Sequence, residues 1–103
     1  MIERWMAELG ALDHVTEAML LERDGFVLST TEHEASGSSL PVNHWIELAN
    51  AARPGDVITL VLEDGYALVS TVSLGILVVI CEKQCNLGRL RTVITSIRTR
   101  MLS

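Results

Sequence analysis

The sequence predicts a mixed α/β domain in which helices cover both faces of a five-stranded antiparallel sheet. Asp64-Gly65 and Leu74-Gly75 separate three short apolar segments, which predicts a three-stranded meander. The third segment has no polar side chain over Ile76–Ile80, so its strand must be covered on both faces. With 103 residues, 49% of them hydrophobic, the chain has the length and composition of a single domain over 1–103.

The first third of the chain predicts one helix and one hairpin. Apolar residues at helical spacing indicate a helix that Gly10 ends, and these residues are Ile2, Trp5, Met6 and Leu9. Val15–Arg23 and Phe26–Thr30 read as strands, because Asp24-Gly25 between them suits a tight turn. Thr31–Ser39 is small and polar, which is typical of a loop.

Val42–Arg53 predicts a second helix with an unusually wide apolar stripe. Its apolar residues cover about 160° of the helix circumference, whereas a helix lying on a sheet needs only about 100°. The excess, above all Trp45, indicates a second buried contact. The alternative is that Trp45 fills a gap in a core that is poor in aromatic side chains. Asn43, Glu47 and Asn50 occupy the opposite side.

The strand that contains Ile76–Ile80 must be central, because it is apolar on both faces. This predicts the strand order 2-1-5-4-3. That order leaves the third strand, Val57–Glu63, at an edge. Its apolar part has no charge and no proline, and such an edge is a hazard unless it is paired or covered. We therefore expect it to pair with a two-fold mate. The chain ends in a third helix, capped by Asn86, whose apolar positions are Leu87, Leu90, Ile94, Ile97 and Met101.

The residue types that carry chemistry form no recognisable motif. His14, His33 and His44 are scattered, and Cys81 and Cys85 have no second pair at zinc-site spacing. We expect no enzyme activity, no metal and no cofactor. The net charge of −5 disfavours nucleic acid as a partner. No apolar run is long enough for a membrane span and no signal peptide is evident, so a cytoplasmic location is expected.

The last twenty-one residues contain no acid and hold five of the eight basic residues: Lys83, Arg89, Arg91, Arg98 and Arg100. One interpretation is a docking face for an acidic partner or a lipid surface. The other is a solvated helix face whose cations lie alongside Glu3 and Glu8 of the first helix.

The chain resembles the roadblock/dynein light chain family, a branch of the profilin-like and longin-like α/β/α domains. The resemblance covers nearly the whole chain, and the segments that carry it are AMLLERDGFVLST, NHWIELANAA, the meander and CEKQCNLGRLRTVI. It implies a homodimer, or a heterodimer with a paralogue, joined through the second helix and third strand. The interface residues expected on this basis are Val42, Trp45, Ile46, Leu48, Ala49, Ala52, Val57, Thr59 and Val61.

The resemblance also implies a partner, a small Ras-like GTPase whose nucleotide cycle or localisation the dimer would modulate. The expected GTPase-facing residues are Asn43, His44, Glu47 and Asn50, along the second helix. A structural adaptor of the dynein light chain type, which binds a peptide or complex subunit independently of nucleotide, is the alternative. A small-molecule sensor is a third interpretation.

Overall fold

A computed structural model describes residues 2–24, 26–32, 42–51, 53 and 56–102. Three helices and five strands follow one another in the order αββαβββα. They are α1 (Ile2–Gly10), β1 (Val15–Leu21), β2 (Val27–Glu32), α2 (Val42–Ala51), β3 (Val57–Val61), β4 (Gly65–Val72), β5 (Gly75–Glu82) and α3 (Leu87–Leu102).

The strands form one antiparallel sheet in the order β2-β1-β5-β4-β3. This is the order that the apolar character of β5 predicts. β5 pairs with β1 on one side and with β4 on the other, and the five residues Ile76–Ile80 lie at the centre of both pairings. β2 and β3 are the two edge strands, and β3 pairs within the chain with β4 alone.

β2 extends further than expected. Thr31 and Glu32 pair with Ala18 and Glu17 of β1, whereas the sequence predicted that a loop begins at Thr31. The prediction was wrong because the backbone of an edge strand can pair even when its side chains are polar.

The two faces of the sheet hold separate apolar cores. On one face, α1 and α3 pack over alternate sheet residues such as Leu68, Leu77 and Val79. On the other face, α2 packs over the intervening residues, including Val69 and Val78. Because successive strand residues point to opposite faces, the unbroken apolar run of β5 supplies both cores at once.

Close backbone packing requires glycine at the starts of β4 and β5. A Cβ atom at Gly65 would lie 2.0 Å from the carbonyl oxygen of Cys81. A Cβ atom at Gly75 would lie 2.0 Å from the carbonyl oxygen of Leu21, and the φ of Gly75 is 152°. These contacts lie across the β4–β5 and β1–β5 pairings, so the two glycines allow the strands beside β5 to approach it.

α3 begins at the residue that the sequence predicted. The Oδ1 atom of Asn86 accepts a hydrogen bond from the backbone N–H of Arg89 at 3.1 Å, as an N-cap side chain does. At the other end, the Ser73 hydroxyl donates to the carbonyl oxygen of Met101 at 3.3 Å. None of the described helices is long and apolar enough to cross a membrane.

Candidate interaction surface

α2 buries its apolar stripe in the core of its own chain. The Trp45 side chain is only 1% exposed and Ala49 only 4%, and both pack in the cluster that contains Met19, Leu21 and Val69. The interpretation that Trp45 reaches a second copy therefore does not hold for this arrangement, because almost none of its surface remains outside the chain. The alternative interpretation, a bulky aromatic that fills a largely aliphatic core, describes its position.

Two other α2 residues of the predicted dimer interface are accessible. Ile46 and Leu48 are half-buried and flank the buried stripe on its two sides. The side chain of Val42 and the whole of Ala52 lie outside the described residues. A second copy could therefore contact α2 through Ile46 and Leu48, and this part of the interface stays a prediction.

The predicted β3 interface residues do not lie on the same face of the sheet as α2. Val57 packs against the core formed with α1 and α3. The guanidinium of Arg91, on α3, donates a hydrogen bond to the Thr59 hydroxyl. Strand alternation places Val61 on this face as well, and its side chain is 79% exposed. α2 and these three side chains are thus separated by the thickness of the sheet.

The β3 residues on the α2 face are Ile58 and Leu60, which the sequence reasoning omitted. Both are half-buried, and Leu60 packs against the core that contains Trp45. Strand alternation alone would have grouped these two residues together. It could not have assigned them to α2, because the face that each helix covers depends on how the chain crosses over the sheet.

The outer face of α2 is polar and open. His44, Glu47 and Asn50 are all exposed. The side chain of Asn43, the fourth residue predicted to face a GTPase, lies outside the described part of the chain. His44, Glu47 and Asn50 lie at intervals of three residues, so they are neighbours on the helix surface. They form a continuous polar strip that a partner could contact.

The basic residues of α3 divide between two flanks of the helix. On one flank, the Arg100 guanidinium binds the Glu8 carboxylate of α1 at 3.2 Å, as the solvated-face interpretation expected. On the other flank, Arg91 binds Thr59, and Arg98 has a buried Nη1 atom without a hydrogen-bond partner. Glu3, the second acid expected beside this helix, forms no ion pair with any described residue.

A cleft of about 350 Å³ lies where α1 runs into β1 and β5 runs into α3. His14, which has a left-handed φ of 70°, and Cys85 line it, and the Nδ1 atom of His14 lies 3.1 Å from Glu82 Oε2. Behind Cys85, burial raises the pKa of the Cys81 thiol to about 12, and a hydrogen bond with Cys85 adds to this increase. Cys81 is therefore a neutral thiol at neutral pH and a poor nucleophile.

The described residues contain no group of three or more His, Cys, Asp or Glu side chains that could hold a metal ion. That the chain is not an enzyme and needs no cofactor stays a prediction. Within the described part of the chain, the surfaces open to a partner are the outer edge of β3, the polar strip of α2 and the flank of α3 that carries Arg91 and Arg98.

The fold closely resembles that of known structures. The Roadblock/LC7 domain from Streptomyces avermitilis superposes with a TM-score of 0.65, over 97% of this chain and 97% of that chain, at 20% sequence identity. The chain has the roadblock fold. The superposition extends over nearly the full length of both chains.

Two further proteins share the roadblock fold with this chain. MglC from Myxococcus xanthus superposes with a TM-score of 0.67, at 15% identity over 97% of this chain and 95% of that one. The gliding protein MglB from Thermus thermophilus gives 0.61, at 17% identity over 95% and 88%. A further similar structure is MglB with a tetrameric arrangement, which gives a TM-score of 0.61 at 17% identity. No protein-family model and no curated protein sequence matches the chain.

Proposed function

We propose that the chain is a non-enzymatic homodimer that binds a small Ras-like GTPase and modulates its nucleotide cycle or its localisation. The observation that carries the proposal is the roadblock fold, which the chain shares over 95% or more of its length with MglB and MglC. The regulator or scaffold role is what the resemblance to the roadblock/dynein light chain family implies.

The dimer would form at the free edge of β3. Among the described residues, no strand pairs with the outer side of β3, and Val61 exposes an apolar side chain there. Pairing with a second copy satisfies the backbone groups of this edge and covers that side chain. The tetrameric arrangement of MglB supports self-association in the same fold.

The GTPase would contact the polar strip of α2, formed by His44, Glu47 and Asn50. These side chains are exposed and take no part in either core. They provide hydrogen-bond donors and acceptors and one carboxylate, a composition that suits a reversible polar interface. Any effect on hydrolysis or exchange would act by remodelling the switch regions of the GTPase, because the strip offers no arginine to donate to the nucleotide.

Sedimentation velocity of the purified chain with a Ras-like GTPase, loaded with GDP or with a GTP analogue, tests the proposal. The expected result is a dimer that co-sediments with the GTPase in one nucleotide state. Equal binding in both states would favour the structural adaptor, and no binding in either state would contradict the GTPase partner.

A charge reversal on the α2 strip provides the site-specific test. Glu47→Lys should weaken GTPase binding, because it changes the charge at the centre of the strip. Glu3→Lys on α1 is the matched control, since Glu3 is also exposed and lies on the opposite side of the sheet. Equal effects of the two variants would place the GTPase contact elsewhere.

A further inference from the structure

The path of α3 predicts that Arg98 lies near the first residues of β3. Arg91 on the same helix reaches Thr59, in the middle of the strand. Seven residues are nearly two helical turns, so Arg98 projects from the same flank of α3 about 10 Å further along. α3 runs towards Ser73, whose hydroxyl binds the Met101 carbonyl, and this direction leads from Thr59 towards Val57.

The guanidinium of Arg98 is only partly satisfied. Its Nη1 atom is buried and has no hydrogen-bond partner, although the side chain as a whole is half-buried. Nη1 is enclosed by its own chain, but the half-buried side chain keeps an accessible part, and a partly desolvated charge is stabilised by an opposite charge beside it. No carboxylate among the described residues forms an ion pair with it.

The two ends of the β3 edge have opposite charge. The N–H of Asp56, the residue before β3, donates to the Arg53 carbonyl oxygen at 3.0 Å, so Arg53 lies near the first end. Arg53 and Arg98 together outnumber Asp56 there. Glu63 and Asp64 form the turn at the second end, both exposed and without an ion-pair partner in the described part of the chain. Antiparallel pairing of two copies places each cationic end beside an acidic end, whereas parallel pairing would place like charges together.

We infer that Glu63 of a second copy supplies a carboxylate to the accessible part of the half-buried Arg98 side chain. This inference rests on the homodimer of the proposed function and names the residues that align it. A two-fold axis at Thr59, the central residue of β3, pairs Val57 of each copy with Val61 of the other. Val61 loses its exposure, and the turn that contains Glu63 lies beside Arg98 of the mate. Symmetry repeats this ion pair at the other end of the seam.

The same register brings the two Arg91 side chains towards the axis, where their like charges oppose pairing. Each guanidinium is held by Thr59 of its own chain, and two Arg98–Glu63 pairs act against this single repulsion. Because the ion pairs are electrostatic, self-association should weaken as the salt concentration rises.

Charge reversal with sedimentation equilibrium tests the pair. Arg98→Glu and Glu63→Arg should each raise the dimer dissociation constant by about tenfold or more, since each places two like-charge contacts at the seam. The double variant, Arg98→Glu with Glu63→Arg, should return to within about threefold of the unmodified chain. Arg89→Glu and Glu3→Arg are the matched controls, because both lie away from the β3 flank, and neither should change the dissociation constant.

The outcomes separate the pair from the dimer itself. A monomer at tens of micromolar in the unmodified chain would overturn both the homodimer and the pair. A dimer in which the two charge reversals add, without recovery in the double variant, would overturn the Arg98–Glu63 pair and leave the homodimer standing. Circular dichroism melting of each variant identifies loss of folding, and Arg98→Gln then provides a milder variant that should also weaken the dimer.

Discussion

The Arg100 guanidinium on α3 binds both carboxylate oxygens of Glu8 on α1, at nitrogen–oxygen distances of 3.2 and 3.4 Å. The pair joins the two helices that cover one face of the sheet. A hydrogen bond of 3.0 Å from Arg100 to Ser96 Oγ holds the guanidinium in place from the other side.

Removal of this pair should have a small effect on stability. Arg100→Ala is expected to lower the free energy of unfolding by less than about 1 kcal/mol, because both side chains are well exposed and screened by water. Urea unfolding at low and high salt measures this, and the difference should shrink at high salt. Arg89→Ala, which removes an exposed arginine without an ion-pair partner among the described residues, is the control. A loss of several kcal/mol would show that the pair is essential for docking α1 on α3.

The Trp45 side chain should contribute strongly to the free energy of unfolding of a single chain, without any contact to a second copy. Trp45→Ala is expected to cost about 3–5 kcal/mol, because it empties the centre of the core between α2 and the sheet. Trp45→Phe, with a smaller loss of volume, should remain folded at a lower cost. Urea unfolding followed by circular dichroism measures both.

His44→Ala, one residue earlier and fully on the outer face, should change stability by no more than about 0.5 kcal/mol. If Trp45→Ala had as little effect as His44→Ala, the packing of α2 on the sheet would be wrong.

Two glycine-to-alanine substitutions should change the stability in opposite directions. Gly75→Ala places a Cβ 2.0 Å from the Leu21 carbonyl oxygen at a φ of 152°, so it should destabilise by about 2 kcal/mol or more. Gly88→Ala meets only Asn86 Oδ1 at 3.5 Å, an ordinary contact, and should stabilise α3 by up to about 1 kcal/mol. Thermal unfolding distinguishes the two, and a stabilised Gly75→Ala would contradict the pairing of β1 with β5.

Cys81 should make the fold sensitive to alkaline pH. Its pKa is raised from 9.0 to about 12 by burial, so the unfolded thiol loses its proton first as the pH rises. Deprotonation therefore favours the unfolded state between about pH 9 and 12, and the stability contributed by the neutral buried thiol is lost across that range.

The measurement compares the pH dependence of unfolding of the unmodified chain with that of Cys81→Ala. Above pH 9, the unmodified chain should lose more stability than Cys81→Ala does. This holds whatever the difference in stability between the two proteins is at neutral pH. Parallel curves for the two proteins would show that the thiol is not protected from water. Cys85→Ala, at the half-buried neighbour, is the control for the other cysteine.

Local patterns in the sequence were sufficient to predict most of the sheet. The run Ile76–Ile80 could only be covered on both faces, and this one fact placed β5 at the centre and β3 at an edge. The spacing of Leu90, Ile94 and Ile97 likewise predicted the buried side of α3, and all three are almost fully buried.

The assignment of contacts across the sheet could not be predicted in the same way. The width of the apolar arc shows how much of the helix face is apolar. It does not show that the Trp45 side chain is almost fully buried within its own chain. Alternation shows that Val57, Thr59 and Val61 share a face, but not that the face belongs to α3. Both questions depend on the three-dimensional path of the chain, which local periodicity does not contain. Nothing in the sequence predicted that the Nη1 atom of Arg98 would be buried.

The pairing of β1 with β5 has a consequence for how the chain reaches its fold. Leu21 and Ile76 are neighbours in the sheet but lie 55 residues apart in sequence, whereas β3, β4 and β5 pair through short turns. The meander needs only local loop closure, so it should form early, and the closure of the long loop should limit the folding rate. During synthesis, the first hairpin emerges from the ribosome well before its central partner exists. Until β5 is made, the apolar edge of β1 has no strand to join, and this interval is when the nascent chain is most exposed to aggregation.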